Sequence, residues 1–121
     1  MKSKKRIFGI VLSAIFVSLG AFGVENPSFP GGQAALEKYL SENMQYPSYA
    51  RENGVEGVVT VGFEVGLDGS INNAKILKFV DPDLEKEALR LVQGMPKWEP
   101  AQEDGNPVES SAEVRIPFIL E

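Results

Sequence analysis

The sequence predicts an α+β domain, a three-stranded antiparallel sheet packed by two helices, and three observations carry that prediction. Residues Gly57 to Val65 alternate with period two, Val59, Val61, Phe63 and Val65 falling on one side and Thr60, Gly62 and Glu64 on the other. Asp68-Gly69 follows at once and supplies the positive φ that a tight hairpin needs. Two segments of helical period flank this hairpin, and a final alternating run closes the chain.

The elements follow in order. Gln33 to Asn43 is good helix sequence, with Leu36, Tyr39, Leu40 and Met44 at helical spacing, and Tyr46-Pro47 ends it because a residue before proline avoids helical geometry. Ser48 caps a short turn that Gly54 closes. After the first strand and its Leu67-Asp68-Gly69-Ser70 turn, Ile71 to Val80 returns as the second strand with Ala74, Ile76 and Val80 inward. Ile71 is out of phase with that set, so a bulge or register change is expected near Asn72-Asn73. Asp81-Pro82-Asp83 starts a helix, with an N-cap acid and proline at its first position. Leu84, Ala88, Leu91, Val92 and Met95 form its buried stripe, and Gly94 and Pro96 stop it. Val108 to Leu120 is the last strand, where Pro117 demands a sheet edge or a bulge.

The N-terminus differs from the body. Lys2, Lys4, Lys5 and Arg6 precede the apolar run Ile7 to Leu19 and the small-residue exit Ala21-Phe22-Gly23, the pattern of a secretory signal. Residues 1–23 are therefore expected to be a signal peptide, cleaved near Gly23, or an N-terminal membrane anchor if cleavage does not occur. Residues 24–31 read as a short connector and 32–121 as the folded domain. Four of the twelve cations lie in the leader, leaving eight against seventeen acids, a net −9 for the remainder. A body of that charge repels phosphate backbones, so nucleic acid is not an expected partner.

The 121 residues contain neither cysteine nor histidine, which removes disulfides, thiolate and imidazole metal sites, and His-assisted nucleophiles. The acidic run Asp81, Asp83, Glu85, Glu87 lacks the central glycine and spacing of a calcium loop and reads as helix capping and solvated charge. Ser110-Ser111 has no recognisable base, and no carboxylate pair is singled out for acid–base work. No catalytic residue, metal site or cofactor is expected. The surviving functional signal is a small sheet whose long last strand offers an unpaired edge to an extended peptide.

The series Tyr46-Pro47, Ala50, Gly54, Gly57 to Val65, Asp68-Gly69, Asn73, Leu84, Ala88-Leu89, Trp98-Glu99-Pro100, Gly105, Pro107-Val108 and Ile116-Pro117-Phe118 resembles the C-terminal domain of the TonB energy transducers. Phe29-Pro30-Gly31-Gly32 and the helix through Leu40 are similar to its extended version. The resemblance implies a periplasmic domain that grips a segment near the N-terminus of TonB-dependent outer-membrane receptors, with ExbB/ExbD-type partners if the chain is anchored in the inner membrane. It implies that the guest adds as a strand beside the last strand, through Val108, Glu109, Ser111, Glu113, Arg115 and Phe118, near Asn43, Gln45 and Tyr46. A homodimer paired through the same edges is compatible with this geometry. The chain departs from the family in its spacer: eight connector residues reach at most about 28 Å, too short to carry a domain across the periplasm.

Overall fold

A computed structural model describes residues 14–16 and 24–121. Its elements are β1 (Ala14–Phe16), β2 (Val24–Glu25), α1 (Gln33–Asn43), α2 (Ser48–Glu52), β3 (Gly57–Val65), β4 (Ile71–Lys78), α3 (Pro82–Gln93), β5 (Ala101–Glu103), β6 (Asn106–Val108) and β7 (Ser110–Phe118). The main sheet has the order β1-β7-β3-β4, all pairs antiparallel, and β2-β5-β6 form a second, small antiparallel sheet. The expected α+β architecture is present, with β7, β3 and β4 as its three main strands and α1 and α3 as its two long helices.

The period-two run does what its pattern predicts. Val59, Val61, Phe63 and Val65 are buried, and across β7 they meet Ile116, Val114, Ala112 and Ser110 in unbroken register. Leu36 and Leu40 of α1 and Leu84, Ala88, Leu91 and Val92 of α3 pack into the same core cluster. Each large side chain removed from water in this way contributes roughly 1.5–3 kcal/mol. Asp81 caps α3 as expected, accepting from the Asp83 and Leu84 backbone N–H at 3.0 and 3.1 Å, with Pro82 at the first position.

The β3–β4 ladder is less regular. Its register shifts between Gly62 and Glu64, where Asn73 takes a φ of 55°, and this is the irregularity that Ile71 foretold. A second shift lies between Thr60 and Val61, whose partners are Lys78 and Ile76. Leu77 is the extra residue, and its side chain lies where a Cβ on Gly62 would be. Val80 corrects an expectation: it is 40% exposed and lies beyond the strand. The strand stops at Lys78, and the Val80 N–H is taken by the Glu85 carboxylate at the mouth of α3.

Three further expectations change. The last strand does not run unbroken from Val108: Asp104-Gly105, with φ of 53° and 82°, turns β5 back into β6, so Val108 pairs with Ala101 in the small sheet. Glu109 is the exposed link to β7. Residues 24–31, read as a connector, lie against the body: β2 pairs with β5, Ser28 bridges to Glu99, and Phe29 is buried beside Trp98 and Tyr39. Finally, β7 is not the outermost strand along its whole length. Ala14–Phe16 pairs with it, Ala14 opposite Val114, Ile15 opposite Glu113 and Phe16 opposite Ala112. The signal or anchor expected over residues 1–23 lies, apart from these three residues, outside the described residues. Among the described residues no helix is long and apolar enough to cross a membrane.

Candidate functional site

The expected site residues divide between a strand edge and a corner. Ser111, Glu113 and Arg115 stand on β7 opposite Glu64, Gly62 and Thr60, on the sheet face away from the buried valines. Ser111 and Glu113 are half-buried and Arg115 is exposed. Over Ala112–Val114 the side of β7 away from β3 carries β1; over Ser110–Ser111 and Arg115–Phe118 it carries no strand among the described residues. Pro117, opposite Val58, lies in the second uncovered stretch, where its missing N–H costs the sheet no outer partner.

The corner is built by Asn43, Gln45 and Tyr46 between α1 and α2. Asn43 and Gln45 are exposed, whereas Tyr46 is buried. The Tyr46 hydroxyl donates to the Val55 carbonyl at 2.5 Å, and its ring meets Phe118 edge-on at 5.7 Å. Burial, with the Glu56 and Asp81 carboxylates adding to it, pushes the Tyr46 phenol up to about 12. Tyr46 and Phe118 are therefore core residues that fix the corner against the C-terminal end of β7. They position a binding surface without forming it.

Sequence reasoning missed the group that ties this corner to α3. Glu87 is buried, and its Oε2 accepts from the Gln45 backbone N–H at 2.6 Å. Arg90 donates to both Glu87 oxygens at 2.7 Å and reaches the Asn43 carbonyl at 2.8 Å. The hydrogen bonds that it donates to that carboxylate hold the Arg90 guanidinium above its ordinary pKa. The signal was present: Glu87 sits between Leu84 and Leu91 in the apolar stripe, three residues before an arginine. Gln45, Pro47, Ser48, Lys86, Arg90 and Gln93 are among the residues lining an open cleft of about 630 Å³ beside it. A second recess of about 300 Å³ opens at the start of β7, among Glu64, Asn72, Glu109, Ser110 and Ser111.

The two borders of the main sheet differ in kind. β4 is interrupted by two register shifts and carries Lys75 and Lys78, devices that discourage a further strand. β7 is nine residues long and in register throughout with β3. Among the described residues no group of histidine, cysteine or carboxylate side chains could hold a metal ion.

These features define a small α+β domain with a helix-covered antiparallel sheet and one regular, strand-accepting border. The chain belongs to the TonB C-terminal family: the family model described as "Gram-negative bacterial TonB protein C-terminal" matches residues 42–120. It is also similar to Protein TonB of Haemophilus influenzae, 30% identical over 100 residues, which cover 82% of this chain and 36% of that protein. The chain thus spans about a third of the length of the curated relative it matches. No solved structure matches it. Proteins of this family are envelope-associated and are known as transport energy transducers rather than enzymes.

Proposed function

We propose that the domain is a binding module of TonB-dependent outer-membrane transport that takes an extended receptor segment as an added strand along β7. The contrast between the two sheet borders carries this reading. An edge strand with unpaired backbone groups and regular register offers a guest continuous main-chain hydrogen bonding. β7 has that regularity, and the same border already holds a short antiparallel strand. β4 does not offer it.

Side chains would then set selectivity. Ser111, Glu113 and Arg115 line the exposed face beside the guest, and Asn43 and Gln45 flank the corner beyond Phe118, held in place by Glu87 and Arg90. The module works in the periplasm, delivered by the basic and apolar leader; if that leader is retained, the domain stays at the inner membrane, within reach of ExbB/ExbD-type proteins. Neither binding mode needs a cofactor.

The absence of cysteine makes the test direct. Single cysteines at Ser111, Glu113 or Arg115 on β7, and at Asn72 or Lys75 on β4, are combined with cysteine-bearing peptides from receptor N-termini. Disulfide trapping is expected along β7, with yields that follow the peptide register, and not along β4. Trapping at β4, or no register dependence at β7, would overturn the proposal.

A further inference from the structure

We infer that the chain masks its own docking border: Ala14–Phe16 is an internal competitor that occupies the middle of β7, so the leader controls access for an outside guest. This rests on β7 being the docking border and adds how that border is regulated.

The competitor and the expected guest use the same backbone groups. β1 covers Ala112, Glu113 and Val114, the centre of the nine-residue strand, leaving stretches on either side too short for a full added strand. The segment suits the task. It lies inside the run Ile7 to Leu19, where isoleucine, valine and phenylalanine, all good strand formers, predominate. It is also tethered, since seven residues separate Phe16 from Val24, whose strand pairs with β5 on the body. A short tether keeps a segment at an effective concentration on the order of millimolar, far above that of any separate guest. Pairing over only three residues makes the mask reversible, because so short a strand is marginal on its own.

The mask and an export signal are consequences of one stretch of sequence. While residues 1–23 are attached, the border is closed most of the time; removing them removes the competitor and leaves it open. A precursor would thus be held from pairing with other strands until it has been processed.

The test uses the purified full chain with Ile15→Pro and, separately, Phe16→Pro. Neighbouring residues on a strand point their N–H groups to opposite sides, so one of the two substitutions must remove a bond to β7. Hydrogen exchange of the Ala112, Glu113 and Val114 amides is followed in each. At least one of these amides, facing away from β3, is expected to exchange faster in the variant while those facing β3 keep their protection. The second readout is binding of a synthetic peptide of this chain's residues 11–19, carrying added lysines for solubility. If the border is open one-tenth of the time in the intact chain, the unmasked variant binds the probe about tenfold tighter. Unchanged exchange in both variants overturns the inference, as does faster exchange with no gain in probe binding. Failure of receptor peptides to bind an unmasked variant that does bind the probe would count against the proposed function alone.

Discussion

Replacing Glu87 with alanine tests how the corner between α1 and α2 is held. The substitution removes the acceptor of the Gln45 N–H, a bond of 2.6 Å to a charged oxygen, worth roughly 1.5–3 kcal/mol when the donor is left without a partner. It also removes the Arg90 pair, but the Arg90 side chain is 48% exposed, so solvent screening limits that contribution to about 0.5 kcal/mol. The expected loss is about 2–3 kcal/mol, the low side of what breaking a fully buried pair costs. With a urea m-value of about 1.5 kcal/mol/M, the unfolding midpoint should fall by roughly 1.3–2 M. Urea titration followed by Trp98 fluorescence reads this directly, because Trp98 is buried. Arg90→Ala and the double variant complete a cycle; a coupling of about 0.5 kcal/mol is expected, the screened worth of a pair in which Arg90 meets both carboxylate oxygens. A midpoint shift under about 0.5 M, or strictly additive losses, would show that the buried carboxylate does not organise this corner.

Three other outcomes are expected. Gly69 has a φ of +88° and an added Cβ would lie 1.9 Å from the Trp98 carbonyl oxygen, whereas Gly105 has a φ of +82° and open space; thermal melts should show Gly69→Ala costing about 2–4 kcal/mol and Gly105→Ala about 1. The Tyr46 phenol titrates higher in the folded chain, at about 12, than in the unfolded one. Its contribution to stability is therefore complete below about pH 10 and lost as pH rises toward 12, and in urea titrations across that window Tyr46→Phe should flatten the decline. Trp98 buries an indole N–H with no partner among the described residues, while its ring meets Phe29 and Phe63 edge-on; Trp98→Phe should cost under about 1.5 kcal/mol by calorimetry, because the lost contact area is offset by relief of that orphan donor.

The main strands and helices were legible because burial is written as period. β3 alternates and is buried on one side, α3 repeats every three or four residues, and Asp81-Pro82 announces a helix start that the structure uses as expected. Even the disturbance in β4 showed itself through the misplaced phase of Ile71. What escaped was non-local. That Val108 turns into the small sheet depends on Ala101 as its partner, and two positive-φ residues at 104 and 105 reveal a hairpin only once both arms are known. Val80 reads as strand by its residue type, yet the capping demands of α3 end the strand before it. In the candidate site, the exposed residues of β7 were placed by alternation, whereas the role of Tyr46 and Phe118 as packing partners was not. An aromatic at a turn and another on a strand give no hint in sequence that their rings will meet. Glu87 was read as solvated charge because acids in the first turns of a helix usually are, although its place in the apolar stripe between Leu84 and Leu91 already marked it for burial.

The unequal borders of the sheet also limit how these molecules can aggregate. A sheet able to grow at both flanks is the seed of a fibre, each arrival leaving a fresh template behind. Here one flank is twice kinked and studded with lysine, so growth can start from a single side. Two copies joined through that side would use up what each has to offer, and the stack would end at a pair. A domain with borders this unequal cannot polymerise with itself by that route.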